Sequence, residues 1–184
     1  MTLFAQRGYH GTTMNDIAKL LGLRAPSLYN HIASKQEILR DIMLQTETEL
    51  LAEFHAATDG IDGVTERLHR AVKAFVLHHA LHRREALIGN REVASLEEPA
   101  RSYLLQMRRQ HERSIRAIIE EGRANARFTL THPHLASFAM LEMGVSVARW
   151  FRDDGPLSAE EVAEQYGMLA VQMCGCAAAA PHES

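Results

Sequence analysis

The 184-residue sequence has little of what several classes of protein require. Its two cysteines, Cys174 and Cys176, are too few for a disulfide framework, and their spacing does not suit a zinc site. No apolar run reaches membrane-spanning length without interruption, and the first residues lack the basic-then-apolar pattern of a secretion signal. We therefore expect a cytoplasmic protein whose cysteines are buried small side chains.

Patterns typical of catalysis and of cofactor binding are also missing. The sequence contains no glycine-rich phosphate loop, no nucleophile elbow and no internal repeat. Strand-type alternation is absent, whereas apolar residues at helical spacing run almost throughout, and the 46% hydrophobic content is enough for a core. The sequence thus predicts an all-α protein of about nine helices that is not an enzyme and holds no cofactor.

What the chain does contain is a compact pattern from Thr12 to Lys35. Thr12 and Thr13 can supply N-cap oxygens, and Gly22 suits the left-handed C-cap of the helix that follows them. We expect Leu23 to return to the core after this turn. The inward-facing positions of this helix are at three- and four-residue spacing: Ile17, Ala18 and Leu21.

A second short helix and the start of a third follow the glycine turn. Pro26 suits an early helical position, and Leu28 and Ile32 face inward. Ser34 with Glu37 three residues later is a capping box that opens the third helix. Two helices joined by a tight turn containing glycine form a helix-turn-helix, whose second helix enters the major groove of DNA.

Charge and exposed residue types favour DNA binding at this end of the chain. The whole sequence carries a net charge of −3, but residues 1–40 hold five cationic against two acidic side chains, which leaves −6 on the remainder. Arg24 and Asn30 can read base edges, with preferences for guanine and adenine respectively. The side chains able to donate to phosphate oxygens are Ser27, Tyr29, His31 and Lys35. The alternative is a three-helix packing unit whose polar residues are incidental.

Four segments at fixed separations make the sequence resemble the TetR family of transcriptional repressors. They are LFAQRGYHGTT (Leu3 to Thr13), IAKLLGL (Ile17 to Leu23), PSLYNHI (Pro26 to Ile32) and SK (Ser34, Lys35). The resemblance implies that backbone contacts come from Thr13, Tyr29, His31 and Lys35, and that Arg24, Ala25, Pro26, Ser27 and Asn30 lie along the groove. Family members usually carry another turn or two of the first helix upstream of the position of Leu3, and we assign no phosphate contact there.

Apolar periodicity predicts the helices of the remaining chain. They run from Ser34 to about Thr58, Val64 to about His82, Arg84 to Ser95, Pro99 to about Asn125, His134 to about Phe151, and from the Ser158–Glu161 capping box to about Cys176. Within the resemblance, residues 1–44 form the helix-turn-helix domain and residues 45–178 the ligand-binding and dimerisation domain. Residues 179–184 are expected to be a disordered tail.

The last two helices predict a homodimer. The helix from His134 is apolar nearly all round, which in a soluble protein indicates that the helix is buried on both sides. Two adjacent helices of this kind most simply form a four-helix interface with a symmetry mate. Two recognition helices would then face successive major grooves, so the double-stranded DNA operator should be roughly palindromic.

Histidines raise two further possibilities. His78 and His82 are one helical turn apart, as metal ligands can be, but Arg83 and Arg84 disfavour a cation and nothing nearby completes a tetrahedral set. We predict no metal site and expect these histidines to be partly buried or to line a pocket. His111 interrupts an apolar stripe: it is either a hydrogen-bonded core histidine or a polar group that orients a ligand inside an apolar cavity.

The segments EEGRANARF (Glu120 to Phe128) and ARWFRDDGPLSAEEVAEQY (Ala148 to Tyr166) resemble the TetR branch that regulates fatty-acid, steroid and acyl-CoA catabolism. This looser resemblance implies an elongated apolar pocket with cationic groups near its mouth. The lining residues expected on this basis are Leu87, Arg91, Met107, His111, Phe138, Met143, Val147 and Trp150, with Arg108 and Arg149 facing an acidic ligand. Arg149 can equally form an exposed pair with Glu142, and Trp150 can equally belong to a dimer core.

The mechanism implied is a population shift, in which a small-molecule effector favours a dimer arrangement that no longer fits the operator. The rival class is a helical lipid- or metal-handling protein without specific DNA binding. A third possibility is a structural protein that uses Thr12 to Lys35 for protein contacts.

Overall fold

The computed structural model describes residues 1–175, and this part of the chain is helical. The helices are α1 (Thr2–Arg7), α2 (Met14–Leu20), α3 (Ala25–Tyr29), α4 (Lys35–Thr58), α5 (Val64–Leu81), α6 (Arg83–Arg91), α7 (Ala100–Ala124), α8 (Pro133–Trp150) and α9 (Ala159–Met173), with a 3-10 turn over Val93–Ser95. The all-α class is confirmed. None of these helices is long and apolar enough to cross a membrane.

Local capping chemistry sets several of these boundaries. Thr13 accepts a hydrogen bond from the backbone N–H of Asp16, whose carboxylate in turn accepts from the N–H of Thr13. Ser158 and Glu161 form the same reciprocal pair at the start of α9. Gly22, just beyond the end of α2, has a φ of 69°, a left-handed conformation that glycine adopts without strain.

The start of α4 departs slightly from the predicted capping box. The Ser34 hydroxyl accepts from the N–H of Glu37 at 3.1 Å, as expected. The Glu37 carboxylate reaches one residue further back and accepts from the N–H of Ala33 at 2.7 Å. The two orphan N–H groups are satisfied all the same.

The chain divides into two compact units. The first contains residues 1–50 and 82–108, and the second contains residues 51–81 and those from 109 onward. The predicted boundaries at residues 44 and 178 stay predictions, and the tail over 179–184 and Cys176 lie outside the described residues. Cys174 is fully buried, as predicted.

In the first unit, the core joins the N-terminal helices to α6 and the start of α7. Its buried members are Phe4, Tyr9, Leu39, Met43, Ile88, Leu96 and Leu104. Helix α6 packs against α1. The helix predicted from Arg84 to Ser95 ends earlier, at Arg91, and the chain continues as the 3-10 turn.

Helix α5 is the centre of the second unit. It packs against α8 and α9, and glycine makes both approaches close. A Cβ on Gly144 would lie 2.6 Å from the Phe75 ring, and one on Gly167 would lie 2.7 Å from the His69 ring. The core of this unit is built mainly from small and branched side chains, including Val72, Val76 and Ala163.

Two expectations about the helix-turn-helix are wrong. Leu21 is 57% exposed, and Leu23 does not return to the core because 42% of its surface remains accessible. A helix of seven residues turns only twice, and its buried side is already formed by Ala18 with partial burial of Ile17. The residues at its C-terminal end therefore lie at the surface.

Candidate nucleic-acid interface and effector site

Helix α3, the second helix of the helix-turn-helix, is only five residues long and depends on its surroundings. Leu28 is 2% exposed and anchors it to the first unit. Arg24 is the N-cap residue but makes no capping hydrogen bond with its side chain, and Pro26 occupies the first turn, where a missing N–H costs nothing. The Arg24 guanidinium is therefore not used for capping.

The structure places most of the predicted DNA-contacting residues at the surface. Those classed as exposed are Thr13, Arg24, Pro26, Tyr29, Asn30 and His31, while Ala25, Ser27 and Lys35 are half-buried. Tyr29, the last residue of α3, is 52% exposed. Thr13 is the N-cap residue of α2, the residues from Arg24 to His31 lie on α3 or directly beside it, and Lys35 begins α4. Together these nine residues make up the candidate interface.

Hydrogen bonds to Asp16 hold the side chain of Thr13 in place. Its hydroxyl donates to Asp16 Oδ2 at 2.6 Å and accepts from the N–H of Asp16 at 3.1 Å. The hydrogen bonds from the Thr13 side chain and backbone lower the pKa of Asp16 below its ordinary value. This pairing fixes the first turn of α2.

Lys35 has a different environment from the one expected of a phosphate contact. Its Nζ donates to the carbonyl oxygens of Tyr9 and Thr12, each at 2.8 Å. It also lies 4.1 Å from the centroid of the Tyr9 ring. The ammonium is thus bound to the turn that precedes α2.

One groove of the first unit is unsuited to DNA. It has a volume of about 520 Å³, and His31, Ile38 and Thr46 are among its lining residues. Four carboxylates also line it: Glu37, Asp41, Glu49 and Glu85. Because these carboxylates would repel phosphates, this groove does not suit the DNA backbone.

Two polar residues that carry no functional motif in the sequence, Gln36 and Glu92, hold α6 and the 3-10 turn within the first unit. The carboxylate of Glu92, 6% exposed, accepts from the N–H of Tyr9 at 3.1 Å. Gln36 Nε2 donates to Tyr9 Oη at 2.8 Å and to the Ser95 carbonyl at 2.7 Å. The only sequence signal was a charged residue at the end of a short amphipathic helix, which does not identify a distant partner.

The ten predicted effector-binding residues divide between the two units. Leu87, Arg91, Met107 and Arg108 belong to the first. Met107 is buried and Leu87 half-buried, as lining residues would be. The two arginines already have protein partners: Arg91 donates to the carbonyls of Phe4 and Ala5, and Arg108 donates to Glu47 at 2.6 Å.

The other six predicted residues belong to the second unit and differ in exposure. His111 and Val147 are buried and Met143 is half-buried. Phe138 and Trp150 are 47% and 49% exposed, and Arg149 is exposed as well. Trp150 stacks against Tyr166 with ring centroids 6.4 Å apart and an angle of 27°.

His111 is buried without a hydrogen bond. It is 4% exposed, and within the described part of the chain neither Nδ1 nor Nε2 has a hydrogen-bond partner. Its ring lies between Phe54 and Phe75, with centroid distances of 5.4 Å and 5.1 Å. Burial, with a smaller contribution from His55 and His78, lowers the pKa of His111 to about 4.

This environment does not match a hydrogen-bonded core histidine, the first of the two interpretations of His111. A satisfied core histidine would have a partner, and an unpaired buried polar group costs about 1–3 kcal/mol. The neutral imidazole instead offers one donor and one acceptor to whatever reaches it. By contrast, the neighbouring Glu112 and Ser137 satisfy each other, since the Ser137 hydroxyl donates to Glu112 Oε1 at 2.6 Å.

A cavity of about 460 Å³ opens on the same unit, beside Phe54. Its charged lining residues are Arg67, Asp59, Asp62 and Glu121, and Arg67 pairs with Glu121 at 2.5 Å. The lining thus carries more negative than positive charge. It does not suit the phosphates of a thioester ligand.

A helix-turn-helix with exposed Arg24 and Asn30, in a unit separate from a larger helical body, defines a DNA-binding protein of the helix-turn-helix class. Residues 1–42 match the bacterial regulatory proteins of the tetR family, and residues 62–174 match the tetracyclin repressor-like C-terminal domain. The chain belongs to the TetR family of transcriptional repressors, which are regulators and not enzymes, and respond in general to small ligands.

Individual relatives agree with this membership. The HTH-type transcriptional repressor KstR2 of Mycobacterium tuberculosis H37Rv is 31% identical over 180 residues, which cover 94% of this chain and 86% of the relative. A tetR-family regulatory protein from Rhodococcus RHA1 has a TM-score of 0.89 at 30% identity, covering 96% of this chain and 93% of that one.

Two further solved structures are similar. That of the ketosteroid transcriptional regulator KstR2 of Mycobacterium tuberculosis has a TM-score of 0.88 at 26% identity, covering 97% of this chain and 91% of that one. The structure of AibR in complex with isovaleryl coenzyme A and operator DNA has a TM-score of 0.81 at 24% identity, covering 91% of each chain, and shows the shared fold alone.

Proposed function

We propose that this repressor acts in the cytoplasm as a homodimer on a palindromic operator and is released by a small, largely apolar effector. DNA contacts come from the residues of the candidate interface other than Lys35, with Arg24 and Asn30 reading bases. The observation that carries the effector assignment is His111, a buried imidazole without a hydrogen-bond partner among the described residues.

The exposed apolar surface of α8 and α9 supports the dimer. Large apolar side chains at least 40% exposed in the single chain include Leu135, Phe138, Trp150, Met168, Leu169 and Met173. All of them lie on these two helices, and an apolar surface this extensive indicates a protein interface. A symmetric pairing of α8 and α9 with a second copy buries it and provides two recognition helices.

Tight binding to DNA also favours two helix-turn-helix domains in one complex. Residues 1–40 carry a net charge of only +3 and neutralise few phosphates. A dimer doubles that number, and it places the second α3 one helical turn of DNA, about 34–36 Å, or a multiple of it away. The operator should therefore repeat in inverted orientation.

The environment of His111 narrows the effector class. The aromatic faces of Phe54 and Phe75 suit an apolar molecule, and the neutral imidazole suits one hydroxyl or carbonyl on it. The name of the KstR2 relative, a ketosteroid regulator, agrees with such a ligand. An acyl-CoA or a related acid fits if its charged part reaches Arg149, which is exposed.

Contacts inside the first unit support a mechanism of release. Helix α6 and the 3-10 turn are bound to α1 and to the start of α4 through Arg91, Glu92 and Gln36. A ligand that displaces this segment would move the recognition helix with it. To release the protein from the operator, the ligand must bind the displaced arrangement more tightly than the DNA-binding one by several kcal/mol. A shift of the two populations from 1:99 to 99:1 takes about 5.5 kcal/mol.

The test is binding of the purified protein to the DNA upstream of its own gene, titrated with acyl-CoA thioesters, free fatty acids, steroid acids and neutral ketosteroids. We expect a palindromic fragment to bind and one class to release it. His111→Leu should bind the same fragment and lose the response to that effector. Tight DNA binding that no compound on the panel releases would remove the effector assignment and leave the repressor.

A further inference from the structure

The ammonium of Lys35 is the centre of a set of contacts on the turn between α1 and α2. It donates to the carbonyl oxygens of Tyr9 and Thr12 and lies over the Tyr9 ring. Two of its three N–H groups are used by these carbonyls. The residue reaches back 26 positions to Tyr9 and 23 to Thr12, so it closes a long segment of chain.

The same turn is fixed from its other sides. The N–H of Tyr9 donates to Glu92, and its hydroxyl accepts from Gln36. Thr12 is fully buried, and its hydroxyl donates to the carbonyl of Gly8 at 2.9 Å. The Tyr9 carbonyl also accepts from the N–H of Thr12, at the longer distance of 3.3 Å.

The turn leads directly into the N-terminus of α2. Thr13 follows Thr12 without a linker and is the N-cap residue of that helix. A shift of the Thr12 carbonyl is therefore transmitted to the Thr13 hydroxyl and to the first N–H groups of α2. The Thr13 hydroxyl belongs to the surface that the proposed interface presents to the DNA backbone.

We propose that Lys35 is a positioning residue for DNA binding, which holds the Tyr9–Thr12 turn and through it the N-terminus of α2, and is not itself a phosphate contact of the operator complex. The inference rests on the proposed placement of Thr13 against DNA.

Arginine and methionine replacements separate the two roles. A guanidinium keeps the charge and binds phosphate well, but it is a planar fork on a longer stem and cannot place one nitrogen 2.8 Å from both carbonyls over the Tyr9 ring. If Lys35 were a phosphate contact, Lys35→Arg would be tolerated. If Lys35 positions the turn, Lys35→Arg should lose affinity nearly as much as Lys35→Met does.

The experiment measures operator affinity of the full-length protein by fluorescence anisotropy across a salt series. Lys19→Gln is the matched control, because Lys19 is an exposed cation on α2. We expect both Lys35 variants to bind at least about tenfold more weakly, with melting temperatures above the assay temperature. The slope of log K against log salt for Lys35→Met should match that of Lys19→Gln. If Lys35 were a phosphate contact, the magnitude of the slope for Lys35→Met would instead be smaller than that for Lys19→Gln by roughly 0.9 per protomer.

A double-mutant cycle with Thr13→Ala tests the route of the effect. Positioning through α2 predicts that the losses from Lys35→Arg and Thr13→Ala are clearly less than additive. Lys35→Arg within about twofold of the wild type, together with a reduced salt slope for Lys35→Met, would overturn the inference. Thr13→Ala without any loss of affinity would refute the placement of Thr13, and additive losses would refute the coupling.

Discussion

The backbone N–H of Tyr9 donates to Glu92 Oε1 over 3.1 Å, although 83 residues separate the two in sequence. Glu92 also accepts from the Ser95 hydroxyl at 3.0 Å and from Arg91 Nε at 2.9 Å. One buried carboxylate thus joins the turn after α1 to the end of α6. Within the first unit, the helix-turn-helix and the 82–108 segment are held together at this point.

Glu92→Gln should weaken the first unit. Burial raises the pKa of Glu92, but hydrogen bonds from Tyr9, Ser95 and Arg91 outweigh it and hold the pKa below its ordinary value. A carboxyl with a lowered pKa in the folded state stabilises the protein above its ordinary pKa, and this is lost as pH falls through the folded value. We expect a loss of about 1–2 kcal/mol at pH 7 in urea unfolding.

The pH dependence supplies the contrast for that variant. The difference in stability between wild type and Glu92→Gln should shrink as the pH falls below 4.5, the ordinary pKa of this glutamate. Glu97→Gln, which removes an exposed carboxylate nearby, should follow the wild type throughout. Equal losses from both variants would mean that only the overall charge matters.

His111→Leu should flatten the acid side of the stability profile. The wild-type pKa of about 4 lies below the ordinary 6.5, so the unfolded chain takes up a proton first and stability falls as the pH drops from 6.5 to 4. The difference of about 2.5 units corresponds to about 3 kcal/mol. Urea midpoints at pH 7 and pH 5 should converge for the variant, while exposed His132→Gln should behave as the wild type does.

Gly144→Ala should destabilise the second unit by about 1–3 kcal/mol, because overpacking forces the ring of Phe75 away from α8. The added Cβ would lie 2.6 Å from that ring. Gly63→Ala is the matched control, since its Cβ would meet nothing closer than 3.8 Å. Thermal unfolding by circular dichroism compares the two. A melting temperature unchanged in Gly144→Ala would show that Phe75 relocates freely.

Phe138→Glu should separate the proposed dimer. Phe138 is 47% exposed in the single chain and lies on α8, in edge contact with His134 at 4.7 Å. A carboxylate there would be buried unpaired at the interface, at a cost of several kcal/mol. Light scattering coupled to gel filtration at micromolar concentration should give a monomer. Tyr103→Glu, 53% exposed in the first unit, should remain dimeric, and a dimeric Phe138→Glu would exclude this face.

Local chemistry explains why the sequence predicts helix boundaries well. Thr13 and Ser158 cap their helices, and Gly22 ends α2 in the left-handed conformation, because each of these signals acts within four residues. The buried face of α3 also followed, since Leu28 is anchored as its spacing predicts. The burial of Leu23 was predicted wrongly, because helical spacing does not indicate which way a residue in a turn faces.

Contacts between distant residues could not be predicted in this way. Nothing in the spacing of Lys35 indicates that its ammonium binds the carbonyls of Tyr9 and Thr12. Arg108 appeared as a cation for a ligand, and its partner Glu47 is separated from it by 61 residues. The polar interruption at His111 was visible in sequence, but the absence of a hydrogen-bond partner among residues 1–175 needed the structure.

The most direct test of the central claim, that α3 reads an operator as part of a dimeric repressor, is the affinity of wild type and Asn30→Ala for the native upstream fragment and for a scrambled one. The wild type should prefer the native fragment strongly. Asn30→Ala should lose about 10- to 100-fold on it, or roughly 1–3 kcal/mol, and change little on the scrambled DNA. Equal affinity of the wild type for both fragments, or an Asn30→Ala variant that retains full preference, would contradict the account.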